Sequence, residues 1–104
     1  MTVAAGGAFA GKPRPAVVIQ SDVFRDTASV TISLVTRDEV AAPLLRLPVE
    51  PSVGNGLAAR SWIMVDKLVT VRRDRLGRRF GRLSDTDLLR LNRALLVFLG
   101  MAGG

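Results

Sequence analysis

The 104-residue chain has no cysteine, no histidine and no tyrosine. Without cysteine there is no disulfide staple, and without cysteine or histidine the usual zinc sites and a histidine-based triad are excluded. The missing cysteines suit a reducing compartment, so a cytoplasmic protein is expected. No apolar run approaches the length of a membrane span, so no membrane partner is expected. The opening MTVAAGGAFAGK lacks the basic and apolar regions of a secretory signal and is not read as one. Acids are also scarce, nine Asp and Glu against 15 Lys and Arg, and no spacing gathers them as a metal-dependent nuclease requires. No metal and no cofactor is expected.

What is present is apolar and basic. Hydrophobic residues make up 48% of the chain, which argues for a folded domain rather than disorder. The length fits one small domain, residues 1–104. So high an apolar share in a small domain leaves surface for a second copy to cover, and a homodimer is expected. The charge is concentrated. From Lys67 to Arg82 there are seven basic residues and one acid, so this segment carries the whole net charge of +6, while the remainder holds eight of each sign. Such a ribbon on a neutral body suits a polyanion or an acidic partner, or else a solvated arginine-rich loop.

Hydrophobic patterning predicts short strands. Residues 2–9 alternate weakly. Ala16 to Gln20 is β-branched at Val17, Val18 and Ile19. Val30, Ile32 and Leu34 alternate with Thr31, Ser33 and Val35 up to Thr36. Leu45 to Val49 alternates around Pro48, which suits an edge strand. Asn55-Gly56 marks a turn. Ser61 to Asp66 reads as a strand that Leu68 to Val71 continues after a bend or bulge. The last element is a helix: Ser84 is a good N-cap with Asp87 three residues on, and Leu83 and Leu88 fit a hydrophobic staple. Leu88, Leu91, Leu95, Phe98 and Leu99 form its apolar stripe, and Gly100 is its stop. Five or six strands and one helix predict a mainly β (α+β) domain, a small, strongly bent sheet or barrel with the helix laid against it.

Arginine, lysine, serine and threonine remain for chemistry. That set can still cleave RNA, because the substrate supplies its own nucleophile, the 2′-hydroxyl. The protein has to orient the phosphodiester and stabilise its charge, which an arginine fork does well and a hydroxyl assists. In GKPRPAVVIQSD, residues 11–22, Pro13 and Pro15 bracket Arg14 and restrict its backbone just before a strand. On residue type alone, Arg14 is equally a surface arginine in a turn, Thr36 a β-former at a strand end, and Asp66 a turn cap or an arginine's partner. Trp62 reads as core or dimer interface, with base stacking as the alternative.

The chain resembles the MazF/PemK (Kid) family of toxin–antitoxin endoribonucleases. The resemblance rests on GKPRPAVVIQSD at 11–22, SVTISLVT at 29–36, NGLAARSWIMVDKLVTV at 55–71, RLGRRFGRL at 75–83 and LLRLNRALLVFLG at 88–100, in the family's order. It implies a dimeric SH3-like barrel of five to seven strands with a C-terminal helix. It also implies a toxin that cuts single-stranded RNA, typically mRNA, at short preferred sequences without metal, leaving 2′,3′-cyclic phosphate and 5′-hydroxyl ends. A cognate MazE-like antitoxin with a disordered tail is implied as partner. By resemblance Arg14 is the acid and phosphate stabiliser and Thr36 the transition-state hydrogen-bond partner. Lys12, Ser21, Asp66, Lys67 and Arg75 are the expected substrate-binding set, with the loop from about Gly6 to Pro13 closing over RNA. In some members an arginine two places before the motif aspartate also acts; here that place is Met64. Members also carry a short basic-Gly-Asp preface before the first strand, whereas this sequence begins at Met1-Thr2-Val3. The rival expectations are a CcdB-like toxin directed at gyrase, and an inactive RNA- or antitoxin-binding module.

Overall fold

A computed structural model describes residues 2–5 and 14–101. Its six strands are β1 (Thr2–Ala5), β2 (Pro15–Val18), β3 (Ser29–Thr36), β4 (Arg46–Val49), β5 (Ser61–Arg72) and β6 (Arg79–Arg82), followed by helix α1 (Asp85–Phe98). All pairings are antiparallel, in the order β4-β5-β3-β2-β1-β6. Pro48 does fall on an edge strand, where its missing N–H breaks no ladder.

Among the described residues the ladder does not close into the expected barrel. The two edges are instead bridged by the segment after β4. The Arg82 N–H on β6 donates to the Gly54 carbonyl at 2.9 Å. Asn55 holds that segment together and is itself only 2% exposed. Its Oδ1 accepts from Ser52 and Leu57 N–H, its Nδ2 donates to the Glu50 carbonyl, and its N–H donates to Ser52 Oγ. Gly56 takes φ +68°, a left-handed conformation that suits glycine, and a Cβ there would lie 2.6 Å from the Phe80 carbonyl oxygen. Gly81 lies so close to the Asn55 backbone that a Cβ there would sit 2.9 Å from Asn55 Cα.

The main core joins Val17, Val35, Val49, Ile63 and Val65 of the sheet to Leu83, just before α1, and to Leu91 and Leu95 on α1. The opposite face buries a smaller cluster of Ala16, Val30 and Ile32, flanked by Val18, Leu34, Val69, Val71 and Leu76. The two clusters follow strand alternation, with one irregularity. Between Ser33 and Val35 the β3 strand advances two residues, while β5 advances five, from Ile63 to Leu68. This bulge reverses the alternation, so Val69 and Val71 join the second cluster although Ile63 and Val65 belong to the first. Ser33, fully buried, donates from Oγ to the Met64 carbonyl at 2.8 Å, which satisfies a group the ladder cannot reach there.

Helix α1 begins as its sequence predicts: Ser84 Oγ accepts the Asp87 N–H at 3.1 Å. The Asp87 carboxylate turns to Arg90 at 2.8 Å, so only one arm of the capping box forms. The helix ends in a Schellman motif, with Gly100 at φ +73°, Gly100 N–H on the Val97 carbonyl and Met101 N–H on the Leu96 carbonyl. The apolar stripe needs correction at its far end. Leu91 and Leu95 are buried, but Phe98 is 41% and Leu99 55% exposed. The helix packs on β4 and β5. Its last turn stands clear of the core, and Leu96, Val97 and Met101 are exposed there as well. The arginine-rich ribbon is also not one solvated loop: it holds a 3-10 turn at Arg73–Arg75 and strand β6.

Candidate active site

Arg14 and Thr36 meet because β2 and β3 are antiparallel neighbours. Their register pairs Ala16 with Leu34 and Val18 with Ile32. Continued by two residues, it sets Arg14 opposite Thr36 on the same sheet face. Both line one cleft of about 340 Å³, with Pro15, Val35, Arg37, Asp38 and Ser61. Arg14 also lines an adjoining cleft of about 250 Å³, walled by Gly56, Leu57, Ala58 and Phe80. The edge-bridging segment therefore forms one side of the space that Arg14 faces. Pro15 holds φ at the strand's first residue and keeps Arg14 extended. Arg14 is exposed, with its guanidinium available to a ligand.

Thr36 Oγ1 accepts the Asp38 N–H at 3.1 Å, which orients the hydroxyl and leaves its proton to donate. Ser61 is buried, and its hydroxyl is committed to the Ala59 carbonyl at 2.9 Å. Arg37 and Asp38 are exposed and complete the polar lining. The residues alone did not single these two out. The antiparallel pairing of β2 with β3 is the signal that could have: any residue just past Thr36 comes back beside Arg14.

The cross-strand partner of Thr36 on β5 is Trp62, whose partner on β4 is Pro48. Trp62 is half-buried on the face opposite the main core, and the Arg60 guanidinium lies over its ring at 5.2 Å from the centroid. Arg60 in turn pairs with Glu50 at 2.9 Å.

The other expected residues are dispersed. Lys12 and the Gly6–Pro13 loop lie outside the described residues. Asp66 lines neither cleft around Arg14; it pairs with Arg46 of β4, both side chains largely buried. Arg46 also donates to the Leu45 carbonyl at 3.0 Å, while its Nε is buried without a partner. Lys67 is exposed in the β5 bulge, and Arg75 is exposed in the 3-10 turn. Ser21 caps another 3-10 turn, Asp22–Phe24, by accepting the Val23 N–H at 3.2 Å. It lines a separate cleft, with Arg25, Arg73 and Arg79. Among the described residues no group of three or more His, Cys, Asp or Glu could hold a metal ion.

By fold, the chain lies among bacterial MazF toxins. The Mycobacterium tuberculosis toxin MazF-mt6 superposes with a TM-score of 0.84, at 20% identity, over 97% of this chain and 98% of that one. A mycobacterial endoribonuclease in complex with its cognate antitoxin gives 0.80, at 23% identity, over 96% and 92%. MazF from a MazE–MazF structure of Deinococcus radiodurans gives 0.76, at 16% identity, over 97% and 94%. The sequence is more specific. It is 53% identical over 102 residues to the probable endoribonuclease MazF of Mycolicibacterium smegmatis, covering 98% of this chain and 94% of that protein. The family described as PemK-like, MazF-like toxin of type II toxin–antitoxin systems matches residues 2–99, and the chain belongs to that family.

Proposed function

We propose that this toxin is an endoribonuclease that cuts single-stranded RNA through the 2′-hydroxyl, without a metal, in the cleft shared by Arg14 and Thr36. One observation carries the reading: neighbouring strands bring an exposed arginine and an oriented hydroxyl to one polar cleft. A phosphodiester seated there receives the Arg14 fork on its non-bridging oxygens and a hydrogen bond from Thr36. The 2′-oxygen attacks phosphorus and the bond to the 5′-oxygen breaks, giving a 2′,3′-cyclic phosphate and a 5′-hydroxyl. Asp38 is the carboxylate in the cleft that can take the 2′-hydroxyl proton. The leaving 5′-oxygen gains its proton from Arg14 or from water. Negative charge grows on the phosphoryl oxygens as the reaction proceeds, so fixed cationic donors stabilise the transition state more than the substrate.

The proposal includes a homodimer, a cognate MazE-like antitoxin and a cytoplasmic location. The exposed apolar end of α1, from Leu96 to Met101, supports a second copy as its cover. No helix among the described residues is long and apolar enough to cross a membrane. The positive segment 67–82 supports an acidic antitoxin tail as well as RNA.

The test is incubation of the purified protein with a long single-stranded RNA in excess EDTA, with the ends mapped. Cyclic-phosphate and 5′-hydroxyl ends are expected, and a substrate with 2′-deoxy residues should stay intact. RNA left whole in EDTA but cut when magnesium is restored would contradict the metal-free reading. Light scattering should give about twice the 11.1 kDa chain mass.

A further inference from the structure

We propose that the cleft at the far end of β2 from Arg14 is a second phosphate-binding site, which takes one backbone phosphate of the same RNA strand. The inference rests on the nuclease reading only for the identity of that strand. The cleft, of about 210 Å³, is lined by three arginines from three different segments. Arg25 follows the Asp22–Phe24 turn, Arg73 opens the next 3-10 turn, and Arg79 opens β6.

Local structure fixes their approach. Gln20 ties the loop to β3: its Oε1 accepts the Thr31 N–H, and its Nε2 donates to the Phe24 carbonyl and to Thr27 Oγ1. Arg73 Nε donates to the Thr27 carbonyl at 2.8 Å, and its N–H donates to the Ala28 carbonyl at 2.9 Å. Its Nη2 also donates to Thr27 Oγ1 at 3.4 Å, so Nη1 is the nitrogen of Arg73 left to meet a ligand. Arg25 and Arg79 are exposed, and among the described residues neither has a carboxylate within 4.0 Å. The one acid of the cleft, Asp22, lies 3.8 Å from a fourth arginine, Arg82, and is shared with it. Three converging cations with so little compensation repel one another, and a bound dianion or monoanion relieves that repulsion. Val18 and Leu76 give the cleft an apolar side against which a sugar or base can rest.

Position favours RNA over an acidic peptide. Arg14 and Val18 lie on the same face of β2, one at each end, and Gln20 follows two residues on. Val18 already lines the second cleft, so four residues of extended chain, from Arg14 to Val18, separate the two clefts by about 13 Å. A few nucleotides of single strand cover that span, and a nucleic acid carries a charge at every step along it. The volume suits a single phosphate and its sugar rather than a folded peptide segment.

The experiment is fluorescence anisotropy of the full-length protein with a labelled oligoribonucleotide of about eight nucleotides. Every 2′-oxygen is methylated, so the oligomer binds and cannot be cut. The comparison is wild type against Arg25→Ser/Arg79→Ser, both exposed positions, with unfolding curves confirming equal stability. Affinity should fall about tenfold, and the slope of log K against log salt should flatten by about 0.7 for one lost phosphate contact. Single methylphosphonates, walked along the oligomer, should identify one position that weakens wild type and no longer matters in the double variant. On unmodified RNA the variant should raise KM for long substrates and leave kcat and the shortest cleavable substrate unchanged. Equal affinity and slope, a methylphosphonate scan identical in both proteins, or a wild type that does not bind the oligomer would each overturn the proposal. So would an acidic peptide that loses binding in the double variant while RNA does not. Arginine-dependent binding without cleavage of unmodified RNA would refute the nuclease reading and leave this site standing.

Discussion

Replacing Gly81 with alanine probes how the sheet's open edges are held. A Cβ at that position meets the Asn55 carbonyl group and lies 2.9 Å from its Cα. These are backbone atoms, so no side chain can swing away. Asn55 cannot retreat either, since four hydrogen bonds hold it within its own segment. The added methyl must push β6 away from this segment. Overpacking of this kind costs about 1–3 kcal/mol. Separating the strands also strains the bond from Arg82 N–H to the Gly54 carbonyl, worth about 1 kcal/mol. The expected loss is about 2–4 kcal/mol, a large part of the roughly 5–15 kcal/mol that stabilises a domain. At roughly 4–8 °C per kcal/mol the melting temperature should fall by about 8–32 °C. The sole tryptophan, Trp62, reports unfolding in urea, and the midpoint should drop with the slope unchanged. A Gly81→Ala protein within about 0.5 kcal/mol of wild type, the range of an ordinary surface change, would refute the close packing of β6 on Asn55.

Three further outcomes follow from other parts of the structure. Asp66→Asn leaves the mostly buried Arg46 guanidinium without its counter-charge and should cost about 2 kcal/mol, whereas Arg46→Met/Asp66→Leu should recover most of it. Cleavage per folded molecule should survive in that pair, and its loss would make Asp66 a substrate contact after all. Thr36→Val keeps the shape and removes the donor, so kcat should fall about 100-fold with KM little changed; a change confined to KM would contradict the transition-state role. Ser84→Ala removes the N-cap bond to Asp87 N–H and should lower stability by about 1 kcal/mol in denaturant unfolding, with no effect on kcat.

Much of this architecture is legible in local chemistry. Alternation marked β3, β-branching marked β2, and Pro48 marked an edge strand. The cap and stop of α1 are written in Ser84 and Gly100, whose roles depend only on near neighbours in the chain. Long-range closure was harder to read. Nothing within Arg79–Arg82 announces a strand, because two arginines flanking Phe80-Gly81 look like a solvated run until β1 is there to pair with them. The bend or bulge expected before Leu68 is there, but its inversion of the β5 alternation was not legible, since the Ser33–Met64 bond that stabilises it joins distant residues. Phe98 and Leu99 fit the helical stripe, yet period alone does not say where the sheet beneath stops. At the site, Arg14 and Thr36 came from a family resemblance, and the β2–β3 register supplies the physical reason they meet. Arg37 and Asp38 become visible only through that register. For Asp66, sequence left a choice between substrate and arginine partner, and the short β4 strand brings Arg46 to it.

The most direct test of the central claim is single-turnover cleavage of a single-stranded RNA in EDTA by wild type, Arg14→Lys and Arg14→Ala. Arg14 is exposed and outside both cores, so the variants should unfold like wild type. The account predicts that Arg14→Ala loses about 10³-fold or more in rate. Arg14→Lys should recover only part, because a point charge cannot reproduce the bidentate fork. A folded Arg14→Ala protein that still yields cyclic-phosphate ends at close to the wild-type rate would contradict it.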